Sequence, residues 1–512
     1  MAIDAPRDRR AAAPARPVRA AFALAAAAAL CGCVVGPDFQ RPDAAPPPAW
    51  EAVSAPVPPA AEMSGLASRP VARAFDGRRW WSVFADPALD RLVDEAVRQN
   101  LDLQTAALRI EEARAQLVAA KSEGEPALSG DAVAGRQRMS ENGIAGALGA
   151  GGAQPAPSPY GDLYQIGFDA TWELDLWGKA RRVVEAERAG VESAEQARGD
   201  AQISLTAEVA RTYLALRGYQ RQRAIAAADV DDQRRLLRLT QSRSANGFAA
   251  EADAVAQQAQ LSSALAQLPP IDRSITQAAN RLALLLALPP GALNDRLGPE
   301  PAAAAAPLPP EVPVGLPGDL LRRRPDVMKS EAELRAATAK VGQAKAQLFP
   351  SIELGGFGGL QATHANDLGD WASRFWIGGL QVSIPIFEGG KLKAQIRTAD
   401  AQMREAALGY RSTVLQAVHD ANGAIDAYAQ EQRHASALAR QADDARRSRD
   451  LMRERWRSGF ASLVDVLGVE RQLRQTDRQA LQSAVAAQTD LVALYKALGG
   501  DWGAPDPGTA AH

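Results

Sequence analysis

Two stretches of the chain alternate between apolar and polar residues with a period of two. In YQIGFDATWELDLWG, Tyr164, Ile166, Phe168, Ala170, Trp172, Leu174 and Leu176 are apolar, and Gln165, Gly167, Asp169, Thr171, Glu173 and Asp175 lie between them. In WIGGLQVSIPIFEGG, Trp376, Leu380, Val382, Ile384 and Ile386 fall on one side, with Gln381 and Ser383 on the other. Alternation of this length predicts strands with one apolar and one wet face. A sheet packed on a core in water is the common explanation; a barrel facing lipid is the other. Two features favour the barrel. The strands approach the roughly 9–11 residues that cross an outer membrane, and aromatic residues stand near their ends, as a membrane interface favours.

Around these strands the period becomes helical. A first helix ends at Pro126 and a comparable one at Pro350, since proline cannot continue either. Very long helices are predicted from about Lys179 to Asn246 and from about Lys391 to Ser458. At 1.5 Å per residue each extends about 100 Å. Val183, Val184, Val191, Ile203, Leu205, Val209, Leu216, Tyr219 and Ile225 mark an apolar seam on the first, with many alanines between. A soluble coiled coil is the plain reading of such a seam. Asn246-Gly247 and Ser458-Gly459 are stop signals suited to a left-handed C′ residue, and a return helix starts near Asp253 and near Asp465.

The chain says this twice. NLDLQTAALRIEEARAQLVAAKSEGEPAL resembles RPDVMKSEAELRAATAKVGQAKAQLFPSI, and Asp102 and Pro126 match Asp326 and Pro350 at one constant offset. Lys179, Gly247 and Asp253 match Lys391, Gly459 and Asp465 at a second, shorter offset. One loop is therefore longer in the first copy. MSENGIAGALGAGGAQPAPSPYGD joins the first strand pair and THANDLGDW the second. The pattern predicts a tandem duplication of a unit of roughly 200 residues. Each unit reads as helix, two strands, long helix, glycine turn and helix. Four strands cannot close a barrel in lipid, where an open edge is not tolerated, so the barrel reading requires the chain to pool strands with copies of itself.

Composition narrows the chemistry. Lys+Arg 58 against Asp+Glu 60 gives no reason to expect nucleic acid, and three arginines in DLLRRRPDV do not change that; Pro325-Asp326 in the same stretch reads as a helix start. Before the first helix, Arg7, Arg9, Arg10, Arg16 and Arg19 precede an apolar run from Ala20 to Leu30. That run is shorter than the about 20 residues a spanning helix needs, and charge, apolar run and small residues in this order form a secretory signal. A metal or disulfide site at Cys31 and Cys33 is the weaker reading, because structural zinc usually takes four ligands. The four histidines, His364, His419, His434 and His512, are scattered. No catalytic constellation emerges, and LGGFGGL lacks a phosphate-loop spacing.

Leu30-Cys31-Gly32-Cys33 resembles the lipobox of bacterial lipoproteins, with Cys33 as the acylated first residue of the mature chain. Together with CVVGPDFQRP, WWSVFADPALDRLVDEAVRQNLDL, DLLRRRPDV, AKAQLFPSIELGG and IPIFEGGKLKAQI, it makes the chain from Cys33 to about Trp502 resemble the TolC-like outer-membrane efflux proteins. The lipoprotein branch, of the NodT/OprM type, is the nearer match. The resemblance implies a mainly α fold with a membrane β-barrel. Long helical hairpins would form a periplasmic α-barrel, and four strands per chain would supply a homotrimeric barrel of twelve. It implies a passive exit duct in the outer membrane, extending into the periplasm and docked on a periplasmic adaptor protein that links it to an inner-membrane pump, often of the RND type. A covalent lipid on Cys33 would be the only attached group, with no cofactor and no metal, and the protein would not be an enzyme.

The organisation expected on this basis is a lipoprotein signal peptide at 1–32 and a lipid-anchored linker and equatorial segment at 33–85. A first efflux repeat at 86–290 is followed by an equatorial linker at 291–318, a second repeat at 319–500 and a C-terminal tail at 501–512. In the family the periplasmic end closes through acidic rings after the second hairpin turn, and Asp465 matches one such aspartate. A further family aspartate is here Gly468, and Trp456 replaces a tyrosine. Asp465 reads equally as a helix N-terminal acid stabilised by the helix dipole. Gly247, Phe248, Gly459 and Phe460 are tip residues, with chain reversal or adaptor docking as their role. Asp169, Glu173 and Asp175 would face the lumen or its lower mouth, or simply solvate a wet face. Two other classes compete: a lipid-anchored periplasmic coiled coil without a pore, and a secreted enzyme with a helical accessory domain.

Overall fold

The computed structural model describes residues 34–43, 46–51, 68–73, 77–138, 140, 160–298 and 308–500. The expected signal peptide, Cys33, the body of the first strand–strand loop and the C-terminal tail lie outside the described residues. So do stretches of the two expected equatorial segments.

Helices dominate. A helix α1 (Pro87–Gln99) leads into α2 (Leu101–Ser122), β2 (Ala127–Arg138) and β3 (Tyr160–Glu173), after a short strand β1 (Arg69–Val71). Then come α3 (Lys179–Ala245), α4 (Glu251–Ala266), α5 (Leu268–Leu285) and a second short strand β4 (Glu311–Pro313). The chain continues with α6 (Pro325–Ala346), β5 (Ser351–Ala362), β6 (Arg374–Ser383), α7 (Lys391–Arg457) and α8 (Leu463–Ala497). Helices α3 and α7 each have 67 residues and end within one position of the expected limits. No helix among the described residues is long and apolar enough to cross a membrane.

Local chemistry explains most boundaries. Asp86 caps α1, its carboxylate accepting from the amides of Ala88 (2.9 Å) and Leu89 (3.4 Å), with Pro87 at the first helical position. Asn100 separates α1 from α2 and caps the latter through the Leu103 amide at 3.0 Å. One expectation fails in the first return helix, which is broken at Gln267. Pro269 and Pro270 follow, and neither has an amide hydrogen to continue the ladder. The second return helix has no such prolines and runs unbroken.

The chain divides into two compact units. The first holds the described residues up to Gln40, with Ala113–Val191 and Glu333–Ala406. Its centre is an antiparallel four-stranded sheet in the order β2-β3-β5-β6. Phe168 pairs with Gly130 and Gly358, Trp172 with Leu354, and Leu354 with Leu380, so these share one face. Along β3 the burial order is inverted relative to a sheet on a core, and large apolar residues of its neighbours are open on the same face. Phe168 is 64 % and Trp376 83 % exposed, with Ile166, Leu354 and Leu380 exposed beside them, whereas Asp169, Thr171 and Glu173 are half-buried and Gly167 is buried. The alternation extends further in sequence than in structure: Leu174 and Leu176 lie beyond β3, and Ile384 and Ile386 beyond β6.

The second unit comprises Arg41–Glu112, Glu192–Ala332 and the described residues from Ala407 onward. Trp80, Trp81, Phe84, Leu89, Tyr213, Leu282, Leu286, Ile425, Tyr428, Leu494 and Tyr495 form its main core. Trp80 stacks on Tyr495 at 5.4 Å, and β1 runs parallel to β4 beside this cluster. The seam expected on α3 holds from Ile203 to Leu216, where Leu205, Val209 and Tyr213 are also buried; Tyr219 and Ile225 are open to solvent.

Strand approach in the sheet depends on glycine at one position above others. A Cβ at Gly359 would lie 2.2 Å from the Ile166 carbonyl oxygen and 2.6 Å from the Gly167 Cα, both backbone atoms with no room to yield. Gly355 faces open space. We expect Gly359→Val to destabilise by more than the ordinary overpacking cost of about 1–3 kcal/mol and Gly355→Ala to be tolerated. Thermal unfolding followed by circular dichroism in detergent measures both; equal stability of the two variants would contradict this packing.

Candidate functional site: the N-terminal strap and the hairpin tips

From Val34, one residue after the expected lipid carrier, to Gln40 the chain is strapped onto the rest of the first unit. The Val35 amide donates to the Trp177 carbonyl at 3.1 Å. Gly36 has φ +107°, and a Cβ there would sit 2.4 Å from the Gly342 Cα, so the two glycines pack backbone to backbone. The Arg182 side chain, 3 % exposed, holds Asp38 at 2.8 Å and Glu185 at 2.7 Å and reaches the Val35 carbonyl at 3.3 Å. The Arg335 guanidinium lies 5.3 Å from the centre of the Phe39 ring. This seat is built from glycines and arginines far apart in sequence; no local period announces it.

The strap's seat adjoins the end of β3. Trp177 stacks on Phe349 at 4.9 Å and donates its indole N–H to the Pro350 carbonyl at 2.7 Å. Two of the acids assigned to the lumen are committed here: Lys179 binds Glu173 at 3.0 Å and Arg181 binds Asp175 at 3.2 Å. They are half of local ion pairs, which the strand alternation alone does not show.

Both hairpin tips use the same helix stop. The amides of Gly247 and Phe248 donate to the carbonyls of Ser244 (3.0 Å) and Arg243 (2.8 Å), and those of Gly459 and Phe460 to Trp456 (3.0 Å) and Arg455 (2.8 Å). These are Schellman motifs, with Gly247 at φ +76° and Gly459 at φ +79°. Each then presents a phenylalanine to solvent, Phe248 at 75 % and Phe460 at 77 % exposure.

The returns differ. In the second tip Ser462 and Asp465 complete a capping box: Asp465 accepts from the Ser462 amide (2.9 Å) and hydroxyl (2.6 Å), and the Ser462 hydroxyl oxygen accepts from the Asp465 amide (3.2 Å). These bonds, and Arg455 to a lesser degree, hold the Asp465 carboxyl below its usual range. In the first tip Asp253 accepts from the Ala250 amide at 3.2 Å, but Ala250 has no hydroxyl to reciprocate.

A charged cluster that sequence patterning missed ties α3 to the second hairpin. Glu470, 3 % exposed, takes Arg453 at 2.7 Å and lies 3.7 Å from Arg474. Arg474 also binds Asp229 at 3.1 Å, and Arg453 lies 3.8 Å from Asp232. Nearby, Arg243 covers the Trp456 ring at 5.4 Å. Arg324, in the arginine run, is likewise structural: it binds Asp326 at 2.7 Å and Asp420 at 3.3 Å and donates to the carbonyls of Ala417 and Ala497. Among the described residues no cluster of His, Cys, Asp and Glu is arranged to hold a metal ion.

Two outcomes follow from this geometry. Gly36→Val or Gly342→Val should release the strap, read as lost hydrogen-exchange protection at the Val35 amide; retained protection would refute the glycine seat. Ala250→Ser should complete the first capping box and stabilise that hairpin by about 1 kcal/mol, whereas Ser462→Ala should loosen the second. The Asp465 contribution is complete above the ordinary aspartate range and is withdrawn as pH falls through its depressed folded value. Exchange at the second tip, corrected for intrinsic rates, should therefore quicken on acidification, and Asp465→Ala should bring that faster exchange at neutral pH.

Comparison with known proteins places this architecture. The family described as outer membrane efflux protein matches residues 92–288 and 316–500. Nodulation protein T of Rhizobium leguminosarum bv. trifolii is 31 % identical over 474 residues, which cover 91 % of this chain and 93 % of that protein. The solvent efflux pump outer membrane protein SrpC of Pseudomonas putida is 30 % identical, covering 92 % of this chain and 96 % of its own. The solved structure of the outer-membrane channel OprN superposes with a TM-score of 0.80 at 31 % identity, over 92 % of this chain and all of that one. The chain belongs to the outer membrane efflux protein family and is an outer-membrane channel component of an efflux pump.

Proposed function

We propose that three copies of this chain close a twelve-stranded barrel and serve as the passive exit duct of a tripartite pump. The observation that carries this reading is the four-stranded sheet. One of its faces exposes large apolar side chains, Phe168, Leu354, Trp376 and Leu380 among them, and its outer strands β2 and β6 have no partner on their far sides among the described residues. Lipid suits the first property and a neighbouring copy the second. A pore-less coiled-coil adaptor needs neither feature, which disfavours that alternative.

On this reading the chain is a tandem duplication whose repeats carry the helical hairpins into the periplasm. Cys33 bears the lipid, and the strap from Val34 to Gln40 fixes where that lipid leaves the folded chain. The exposed Phe248 and Phe460, each beside its turn glycine, Gly247 or Gly459, are the surfaces offered to a periplasmic adaptor, which connects the duct to an inner-membrane pump of the RND type. Asp465 serves as a cap in each chain. Three copies around an axis would also gather three carboxylates at the periplasmic mouth, where they disfavour one another and attract cations.

The test is the native mass of the protein extracted from outer membranes, with conductance of the same sample in a planar bilayer. Three chains, each starting at an acylated Cys33, with a steady current, are expected. An acylated monomer stable on dilution, or well-inserted oligomers without current, would sink the duct. Cys33→Ala should abolish palmitate labelling and impair localisation or assembly; unchanged labelling would disprove the anchor.

A further inference from the structure

The face of the sheet opposite Phe168 and Trp172 is not uniformly polar. Register places Ser129, Asp169, Phe357 and Ile377 in one row across the four strands, and Asp131, Gly167, Gly359 and Phe375 in the next. Phe357 and Phe375 stack with ring centres 5.3 Å apart and planes 28° from parallel. The Phe357 ring lies over Gly167, where a Cβ would come within 2.8 Å of its Cζ. The glycine gap thus lets a ring from β5 lean across β3, toward the strands that carry Asp131 and Asp169.

Asp169 is directly opposite Phe357, a spacing of about 5 Å between Cβ atoms in such pairs. Neither Asp131 nor Asp169 has an ion pair or a side-chain hydrogen bond to another described residue. By contrast Asp162 on the same strand lies 3.8 Å from Arg136, and Glu173 is held by Lys179. Ile377 is 69 % exposed beside the ring pair. A stacked aromatic platform next to two unneutralised carboxylates is complementary to one class of solute: a positive charge carried on an aromatic or broad apolar body. The rings attract the cation through their faces and bury its hydrocarbon, and the carboxylates oppose its charge. An anionic aromatic meets repulsion here, and a small hydrated cation gains nothing from the rings.

We propose that Phe357, Phe375, Asp131 and Asp169 form a transient binding site for aromatic cations on the inner face of the sheet. Access of solute to that face rests on the duct reading above. The test uses the full-length protein in planar bilayers with three probes: tetraphenylphosphonium, tetramethylammonium and benzenesulfonate. Tetraphenylphosphonium alone should interrupt the open current. Its dwell time should fall roughly fivefold in Phe357→Leu/Phe375→Leu, which keeps apolar bulk but removes the rings, and by a similar factor in Asp131→Asn/Asp169→Asn. Equal dwell in the variants, or equal interruption by benzenesulfonate or tetramethylammonium, would overturn the site while leaving the duct intact. Calorimetric titration of tetraphenylphosphonium into the detergent-extracted protein reads the site without a current. If the wild-type chain does not conduct, the duct reading falls, and loss of binding in the Asn pair still decides for the site, whereas unchanged binding decides against it.

Discussion

Backbone hydrogen bonding along the outer strands of the sheet constrains this molecule more than any side chain does. Strands β3 and β5 are paired on both sides over most of their length, whereas β2 and β6 each have one neighbour among the described residues. In water the unpaired edges would be hydrated. In hydrocarbon each unmet group costs several kcal/mol by order of magnitude. The exposed Phe168, Trp172, Leu354, Trp376 and Leu380 make water the unfavourable solvent for one face, so one chain cannot satisfy its faces and its edges together. On the proposed reading, pairing with further copies of the chain is the physical resolution, and a duct is its consequence.

The helical parts meet a different demand. Helices of 67 residues need packing or pairing at more than one level along their length. In the second unit that work is divided between an aromatic core around Trp80 and Tyr495 and the charged cluster around Glu470. A nearly buried carboxylate held by two arginines is weak evidence of added stability, since desolvation offsets much of the attraction. Its consequence is specificity. Removing one partner would strand a buried charge, which disfavours other alignments of α3 against α7 and α8 at that level.

Legibility in sequence tracked how local the cause was. The period of two, the ends of the 67-residue helices, the glycine stops at Gly247 and Gly459 and the helix start at Pro325 all depend on neighbours a few residues away, and each was readable. What escaped was set by distant contacts. The Gly36–Gly342 seat, the partners of Arg182 and the Glu470 cluster join segments that no spacing connects. The break at Gln267 has a local cause in Pro269-Pro270, which a reading of one return helix from Asp253 leaves out. The charges of Glu173 and Asp175 looked free because alternation says which face a residue takes, not what binds it there. Phe357 and Phe375 escaped because the glycines around them blur the period.

The two hairpins therefore share a sequence plan but not a mechanical one. Identical Schellman stops turn both tips, yet the first returns through half a capping box into a helix broken before two prolines. The second returns through a complete box into 35 unbroken residues. A missing cap leaves an amide, and the prolines leave carbonyls, without their helical partners, and both lower the cost of local opening. By these two local differences the first hairpin is expected to open more readily than the second. Should a hairpin yield under load, the half-made cap and the prolines favour opening in α4 over opening at the Ser462–Asp465 turn.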